Sequence, residues 1–310
     1  MAAAVSTGAP LTIPAVHAGV IDVGSNTIRL LVADAGRRGL ETVLSERSHV
    51  GLATDIEREG RISHGKIALA SEVAAHYAKL ARETHTDRLE VVVTAPGRQS
   101  LNGEELRAAL ADATSVPVRQ LSAEEEGRLA YAGAVGASGA TVVDSIAVVD
   151  VGGGSTQLMV GTAEGPVWLR PLELGSLRLT ERFVRSDPPT RDELDAVAAE
   201  VEQAFGGLIP PLPLSALATG GTARALRRIA GRRLGRKSLS DALDLLCTRS
   251  AEEIAAEFGV PLERARVLAA GTVVLREAHG LLGVKLEVAK GGLREGAVRS
   301  LLAELAVEAA

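Results

Sequence analysis

The chain has 310 residues and a formal net charge of −5, with 46% hydrophobic and 24% charged residues. This length is enough for two ordinary domains, each with its own buried core. Aromatic residues make up only 2% of the chain, which argues against a protein that stacks nucleic-acid bases on aromatic rings. Because Cys247 is the only cysteine, the sequence excludes a disulfide framework and a cysteine-rich metal site. We expect a cytoplasmic enzyme or binding protein with no nucleic-acid or membrane partner.

The first 18 residues have neither a basic start nor a sustained apolar run. We interpret residues 1–18 as a disordered tail and not as a signal peptide. The most apolar stretch of the chain, residues 267–275, is far too short to span a bilayer.

Strands and helices alternate along the rest of the chain, which is typical of an α/β fold. The predicted strands are a strand-turn-strand unit at 20–32, then 41–52, 89–94 and 117–121, a second such unit beginning at 146, then 167–172, 214–219 and 286–289. The predicted helices are 63–82, 102–113, 122–134 and 191–205, one after residue 222, a long one from about 261, and 293–305. Ser63 and Ser122 have the position of helix N-caps.

A stretch rich in Gly, Ala and Ser, residues 133–144, is the best linker candidate. It predicts a first domain at 19–134 and a second domain at 135–294, with a cleft between them. The C-terminal helix, about 295–310, is amphipathic, and we expect it to pack back on the first domain.

The most informative feature is an internal repeat, because residues 20–32 recur without gaps as residues 148–160. Each copy is an apolar strand that ends in an aspartate, Asp22 or Asp150, followed by a turn of small residues and a second apolar strand. The turn exposes backbone N–H groups beside a carboxylate. Two such turns that face each other across a cleft would hold phosphate groups and a divalent cation.

Six segments in order resemble the exopolyphosphatase/guanosine pentaphosphate phosphohydrolase (Ppx/GppA) family of the actin-like phosphotransferase superfamily. They are Ile21-Asp-Val-Gly-Ser-Asn26, Ser122-Ala-Glu-Glu-Glu-Gly-Arg-Leu-Ala-Tyr131, Val149-Asp-Val-Gly-Gly-Gly-Ser-Thr156, Leu174-Gly-Ser-Leu-Arg-Leu-Thr180, Ala218-Thr-Gly-Gly-Thr-Ala223 and Gly292-Leu-Arg-Glu-Gly296. The resemblance implies an α/β fold of two actin-like (ribonuclease H-like) domains with an interdomain cleft. It also implies that the protein hydrolyses a terminal phosphate and forms a homodimer.

Glycine-rich turns let the backbone approach an oxyanion, and the predicted phosphate-binding residues follow from them and from the resemblance. They are Gly24, Ser25, Asn26, Thr27, Arg98, Gly152, Gly153, Gly154, Ser155, Thr156, Gly220, Gly221, Thr222 and Arg294. The alternative interpretation of the turns is a pair of ordinary tight hairpins. For Arg294 the alternative is a helix cap or an ion pair with Glu295, and the Pro-Gly before Arg98 departs from the family pattern.

The resemblance identifies Glu126 as the catalytic base that orients and deprotonates the attacking water. Its alternative interpretation is an acidic residue that complements the dipole of its helix. Asp150 and Asp22 are the predicted ligands of Mg²⁺ (or Mn²⁺), since hard cations prefer oxygen. The family usually has a glutamate seven residues after the second aspartate. Gln157 occupies that position here and would offer a neutral oxygen.

The densest basic run of the chain has no acidic residue between 219 and 240, and we interpret it as a track for a polyanion, against the alternative of a solvated helix face. It consists of Arg224, Arg227, Arg228, Arg232, Arg233, Arg236 and Lys237.

Three functions follow from these observations. The first is a Mg²⁺-dependent exopolyphosphatase acting on linear inorganic polyphosphate, with a preference for short chains. The second is a guanosine pentaphosphate 5′-phosphohydrolase. The third is a sensor of a phosphate compound that is weakly catalytic because of Gln157.

Overall fold

The computed structural model describes residues 16–36, 39–139 and 144–309. Most of the predicted tail, residues 1–15, and residues 140–143 of the predicted linker lie outside them. The strands of the described chain are β1 Ala18–Val23, β2 Thr27–Gly36, β3 Gly39–His49, β4 Arg88–Val93, β5 Val118–Gln120, β6 Ile146–Val151, β7 Thr156–Thr162, β8 Gly165–Leu172, β9 Ser215–Thr219, β10 Arg233–Leu234 and β11 Leu286–Val288.

The helices are α1 Leu52–Glu59, α2 His64–Glu83, α3 Ala95–Gln99, α4 Gly103–Thr114, α5 Ala123–Gly136, α6 Ser176–Phe183, α7 Arg191–Phe205, α8 Gly220–Ala230, α9 Arg236–Leu246, α10 Ala251–Phe258, α11 Leu262–Ala265, α12 Leu268–Leu282 and α13 Leu293–Glu308. Within the described ranges, no helix has both the length and the apolar character needed to cross a bilayer.

The strands form two sheets of related topology. Sheet A has the order β3-β2-β1-β4-β5, and sheet B has the order β10-β11-β9-β6-β7-β8. In both sheets the first strand of the repeat is antiparallel to the second strand and parallel to the fourth strand of its half, β4 or β9. The repeat in the sequence is therefore the shared beginning of two copies of one fold. In register, Asp22 lies opposite Arg29 and Asp150 lies opposite Gln157.

Local sequence signals predicted most of the long elements. The Ser63 hydroxyl accepts the backbone N–H of Lys66, and Ser122 forms a capping box with Glu125. The predicted strand 41–52 ends earlier, at His49, because Gly51 adopts a left-handed conformation with φ 67° and α1 begins at Leu52. The single long helix predicted from about residue 261 is divided into α11 and α12. The pattern did not predict the shorter helices α1, α3, α6, α9 and α10.

The hydrophobic core lies on both faces of each sheet. One face of sheet A packs against α2 and α4, and the buried side of α2 has the predicted spacing, with Ile67, Ala70, Ala74, Tyr77 and Ala81. The largest cluster covers one face of sheet B and includes α7, α8, α9 and α12. The predicted apolar stretch 267–275 is thus a buried helix of this core.

Two helices connect the sheets. Helix α13 packs on β1 and β2 through Val298 and Leu301, whereas α5 packs on sheet B through Ala130 and Tyr131. The predicted linker therefore begins inside α5, which continues to Gly136. Helix α5 runs through residue 134, the predicted end of the first domain, and packs on sheet B. The domain boundary at residue 134 stays a prediction.

The backbones of α5 and α13 touch where the helices cross, and glycine makes this possible. A Cβ atom on Gly133 would lie 1.9 Å from the carbonyl oxygen of Gly292, and one on Gly296 would lie 1.9 Å from that of Leu129. Neither position can accept a side chain unless the helices move apart. The crossing therefore fixes the position of α5 relative to α13.

We expect Gly296→Ala to lower the free energy of unfolding by about 1–3 kcal/mol, because the added methyl group overpacks the crossing. The matched control is Gly280→Ala in the exposed part of α12, where nothing lies within 4 Å of an added Cβ atom. That variant should gain about 0.5–1 kcal/mol from the higher helix propensity of alanine. Urea unfolding of both variants measures the difference, and equal effects would contradict the interpretation of the crossing.

Candidate functional site

The β1–β2 turn and the β6–β7 turn lie against each other. A Cβ atom on Gly153 would lie 3.1 Å from the Cβ atom of Ser25, and one on Gly154 would lie 2.5 Å from the Ser25 hydroxyl oxygen. A larger residue at Gly154 would push the turns apart. The two copies of the repeat therefore face each other directly.

A cavity of about 90 Å³ lies between the two turns and the first turns of α8 and α13, and we call it the inner cavity. Most of the predicted site residues line it. These are Asp22, Gly24, Ser25, Asn26, Thr27, Glu126, Asp150, Gly152, Gly153, Gly154, Ser155, Gly220, Gly221 and Arg294. The structure thus brings both aspartates, both glycine turns and the predicted base to a single cavity.

The first turn of α8 adds backbone donors to this cavity. Gly220 has φ 90° and belongs to the N-terminal turn of the helix, whose N-cap residue Thr219 makes no side-chain cap. A Cβ atom on Gly220 would lie 2.4 Å from the Val151 carbonyl oxygen and 2.8 Å from Oδ1 of Asp150. Glycine is therefore required there both by conformation and by space. Uncapped N–H groups and the positive end of the helix dipole favour an anion in this cavity.

Glu126 is buried at the start of α5, with 6% of its surface exposed. Its Oε2 accepts a hydrogen bond of 2.9 Å from Nη2 of Arg98, and its Oε1 accepts one of 3.3 Å from the Ser155 hydroxyl. Burial raises the pKa of Glu126 to about 7, and the nearby Asp150 adds to the increase, while Arg98 opposes it. A carboxyl group with a pKa near neutrality can accept and return a proton at physiological pH.

Arg98 does not line the inner cavity, although it was predicted to contact phosphate. Its guanidinium donates to Glu126 and, through Nη1, to the carbonyl oxygen of Leu121 at 2.9 Å. These contacts are those of a residue that orients Glu126, and contact of Arg98 with phosphate stays a prediction. Neither the residue type nor the family resemblance indicates that Arg98 contacts Glu126.

Gln157, predicted as a metal ligand, and the predicted phosphate-binding residues Thr156 and Thr222 are fully buried and do not line the inner cavity. The Gln157 amide donates to the Ser155 hydroxyl at 3.1 Å. Its Oε1 atom is buried without a hydrogen-bond partner in the described chain. Because the amide occupies an acceptor site of Ser155, the hydroxyl proton of Ser155 points to Glu126. Gln157 thus lies behind Ser155 and helps to orient it, and direct coordination of a metal by Gln157 stays a prediction.

The carboxylates of Asp22 and Asp150 both face the inner cavity, and neither accepts a hydrogen bond from another described residue. Burial raises the pKa of both, and the charge of Asp22 raises the pKa of Asp150 further, to about 6 despite the opposing effect of Arg224. Two oxygen donors that repel each other fit a hard divalent cation. The described residues contain no cluster of three or more His, Cys, Asp or Glu side chains suited to a metal. Water or substrate oxygens would therefore complete the coordination.

Three arginines in the inner cavity were not among the predicted site residues: Arg29, Arg224 and Arg264. Arg29 lies opposite Asp22 in the sheet, so the repeat was a signal for its position. Arg224 belongs to the predicted basic track. Two other members of that track lie outside the inner cavity and form ion pairs: Arg232 pairs with Glu287, and Lys237 pairs with Asp241 at 2.7 Å. No sequence signal indicated Arg264. Burial and neighbouring positive charges lower the pKa of all three, that of Arg264 to about 10.

Residues 31–305 match the Ppx/GppA phosphatase family. The chain belongs to this family. Exopolyphosphatase 2 of Mycobacterium tuberculosis is 34% identical over 203 residues, an alignment that covers 63% of this chain and 63% of that protein, just under two thirds of its length. Exopolyphosphatase 1 of Mycobacterium bovis is 31% identical over 304 residues, with 90% and 86% covered. A crystal structure of the Aquifex aeolicus member of the Ppx/GppA family has 26% identity and a TM-score of 0.79, with 95% of this chain and 99% of that chain covered.

The predicted family resemblance is confirmed, and so is the predicted fold class of two actin-like domains with a cleft between them. Two features of the structure agree with that fold class: the strand order is the same in both sheets, and the inner cavity lies between the two Asp-x-Gly turns.

We expect Asp150→Asn to raise the free energy of unfolding at pH 7.5 in the absence of divalent cations by about 1–3 kcal/mol. The folded protein has a pKa of about 6 at Asp150, above the value of 3.8 for a free carboxyl group. The wild-type protein therefore loses stability as the pH rises from about 4 to about 6, and the variant lacks this loss. Denaturant unfolding at pH 4 and pH 7.5 should show the gain only at pH 7.5.

The matched control for that variant is Asp112→Asn, which changes an exposed carboxylate of α4 and should have little effect at either pH. A gain of equal size at pH 4 would show that the stabilisation of Asp150→Asn does not come from removal of the buried charge.

Proposed function

We propose that this member of the Ppx/GppA family is an exopolyphosphatase that releases the terminal orthophosphate of linear inorganic polyphosphate by hydrolysis. The observation that carries the proposal is the single cavity in which Glu126, Asp22 and Asp150 meet two glycine turns. The names of the mycobacterial relatives support the same substrate.

In this proposal the backbone N–H groups of the two turns and of the α8 N-terminus bind the oxygens of the terminal phosphoryl group. Asp150 and Asp22 would hold Mg²⁺ or Mn²⁺, which supplies positive charge to the phosphoryl oxygens. Glu126 orients a water molecule and accepts its proton as the water oxygen attacks the terminal phosphorus. The P–O bond to the next phosphate breaks, and the products are orthophosphate and a chain shortened by one unit.

Arg98 and Ser155 hold the Glu126 carboxylate from two sides in this reaction. The ion pair with Arg98 favours the ionised form of Glu126, which is the form that accepts a proton. The hydrogen bond from Ser155, which Gln157 orients, fixes the direction of Oε1. Both contacts join residues that lie far apart in the chain.

Two alternatives use the same cavity. A guanosine pentaphosphate 5′-phosphohydrolase would place the 5′-terminal phosphate where the polyphosphate end binds. A weakly catalytic sensor would bind a phosphate compound with negligible turnover, and the neutral Gln157 in place of a glutamate is the observation in its favour. Turnover of short polyphosphate, long polyphosphate and the guanosine nucleotide in parallel separates the three. The homodimer and the cytoplasmic location stay predictions.

We expect Glu126→Gln to reduce phosphate release from polyphosphate by a factor of about 10²–10⁴, the usual contribution of a general base. The control is Glu124→Gln, an exposed acid in the same helical turn, which should retain activity within a factor of two. Release of orthophosphate at saturating substrate and Mg²⁺ measures both. Undiminished release by Glu126→Gln would reject Glu126 as the base, and no release by the wild-type protein would favour one of the two alternatives over the exopolyphosphatase.

We expect Arg98→Met to shift the pH dependence of the turnover number to higher pH. The base must be ionised, so activity should rise with pH as Glu126, with its pKa of about 7, loses its proton. Arg98 lowers that pKa, and its removal raises the pKa and moves the rise in activity upward. The pH profile at saturating substrate measures the shift. An unchanged or downward-shifted profile would contradict the role of Arg98 in orienting and ionising Glu126.

A further inference from the structure

The β6–β7 turn has three successive carbonyl oxygens that all accept hydrogen bonds, those of Gly152, Gly153 and Gly154. The first two accept backbone N–H groups from the first turn of α6, at 2.9 to 3.1 Å. In a trans peptide the N–H group points away from the carbonyl group before it. The next three N–H groups, those of Gly153, Gly154 and Ser155, therefore point away from these partners. They have no acceptor in the described chain, and their residues line the inner cavity.

The third carbonyl oxygen, that of Gly154, is held in a different way. It accepts a hydrogen bond of 3.0 Å from Nε2 of Gln99. Gln99 is the last residue of α3, which follows β4 of sheet A, whereas the turn belongs to sheet B. Two carbonyl oxygens of the turn are thus held by a helix of their own half, and the third by a side chain of the other half.

The orientation of the Gln99 amide is fixed by a second contact. Its Nε2 atom also donates to the carboxylate of Glu173, and a primary amide nitrogen has two hydrogens to donate. If the amide turned by 180°, its oxygen would face two acceptor oxygens. Glu173 is itself held near two cations, with Nε of Arg98 at 3.9 Å and Nη1 of Arg178 at 4.0 Å. The donor side of Gln99 therefore faces Gly154.

Glycine at position 154 is required by space and makes the added contact important. A Cβ atom there would lie 2.5 Å from the Ser25 hydroxyl oxygen and 2.8 Å from Oε1 of Gln99. A glycine peptide also rotates easily, because no side chain restricts its backbone. If the peptide between Gly154 and Ser155 rotated, it would present a carbonyl oxygen to a bound phosphate in place of an N–H group. The hydrogen bond from Gln99 opposes this rotation.

We propose that Gln99 is a positioning residue of the phosphate site, which holds the Gly154 carbonyl group outside the inner cavity and so directs the Ser155 N–H group at the terminal phosphoryl group. The proposal rests on the proposed function and deepens it, because the third donor of the turn then depends on contact between the two halves. Gln99 does not line the inner cavity, so it acts through the backbone of the turn. A donor that is already directed at the charge of the transition state stabilises it without reorganisation.

The test uses three substitutions of Gln99 that differ in hydrogen-bonding capacity. Gln99→Met removes the donor at similar length, Gln99→Glu puts an acceptor in its place, and Gln99→Lys retains a donor. The matched control is Gln203→Met, which changes an exposed glutamine of α7. Calorimetric titration with tripolyphosphate is carried out in a Glu126→Gln parent, so that hydrolysis does not consume the ligand. The turnover number, KM and thermal unfolding are measured for each substitution in the wild-type background.

We expect Gln99→Met to weaken tripolyphosphate binding about tenfold and to lower kcat/KM by a similar factor, the effect of losing one directed hydrogen bond. Gln99→Glu should be weaker still, because its carboxylate repels both the Gly154 carbonyl group and Glu173. Gln99→Lys should stay within a factor of about three of the parent, and the control should not change. The midpoint of the pH profile should also stay in place, because Gln99 does not contact Glu126.

Two outcomes would overturn the role of Gln99. The first is a Gln99→Met protein that binds tripolyphosphate as tightly as its parent. The second is a Gln99→Lys protein as weak as Gln99→Met, because a side chain that only ties the halves together would not be rescued by a donor. Thermal unfolding shows whether a loss of binding follows a loss of stability.

Binding and turnover separate this proposal from the proposed function. If the wild-type protein releases no phosphate from polyphosphate, the exopolyphosphatase proposal fails, while weaker tripolyphosphate binding by Gln99→Met and its rescue by Gln99→Lys still support the role of Gln99. If the wild-type protein is active and Gln99→Met equals it in binding and in kcat/KM, only the Gln99 proposal fails. Absence of tripolyphosphate binding by the parent would overturn the turn as an anion site, and the role of Gln99 with it.

Discussion

The site depends on the crossing of α5 and α13. Helix α5 has Glu126 in its first turn and packs on sheet B, whereas α13 begins at the inner cavity and packs on sheet A. Backbone contact at Gly133 and Gly296 leaves no room for side chains between them. Because each helix is anchored to a different sheet, their contact helps to set the distance between Glu126 and Asp22 of the first repeat. A change at the crossing would alter the catalytic geometry without touching a site residue.

The inner cavity gathers charges of both signs at a cost in stability. Burial raises the pKa of Asp150 and Glu126 and lowers that of Arg264, so each of these groups is less stable in its charged form than it would be in water. A divalent cation would satisfy the aspartates, and a chain of phosphates would satisfy the arginines. The site is thus a pair of complementary charge clusters arranged for a metal ion and a polyanion together. Substrate and cation binding should therefore also stabilise the folded protein.

Sequence reasoning was strongest where a local pattern dictates a local structure. The repeat predicted both strand-turn-strand units, and the caps at Ser63 and Ser122 predicted the beginnings of α2 and α5. It was weakest for contacts made by long side chains. The sequence predicts that Arg98 contacts phosphate and Gln157 a metal, and it does not predict their contacts with Glu126 and Ser155. The sequence also does not predict that two members of the basic run after Thr219, Arg232 and Lys237, form ion pairs with Glu287 and Asp241.

The amino-acid sequence by itself determined the family, the two Asp-x-Gly turns and the alternation of strands and helices, because turn chemistry and hydrophobic spacing act over a few neighbouring residues. Only the tertiary structure decided that Arg264 joins Arg29 and Arg224 around the cavity, that Arg98 serves Glu126, and that the two turns of the repeat meet at one cavity. These arrangements join residues far apart in the chain, and their positions follow from how two sheets and two crossing helices pack.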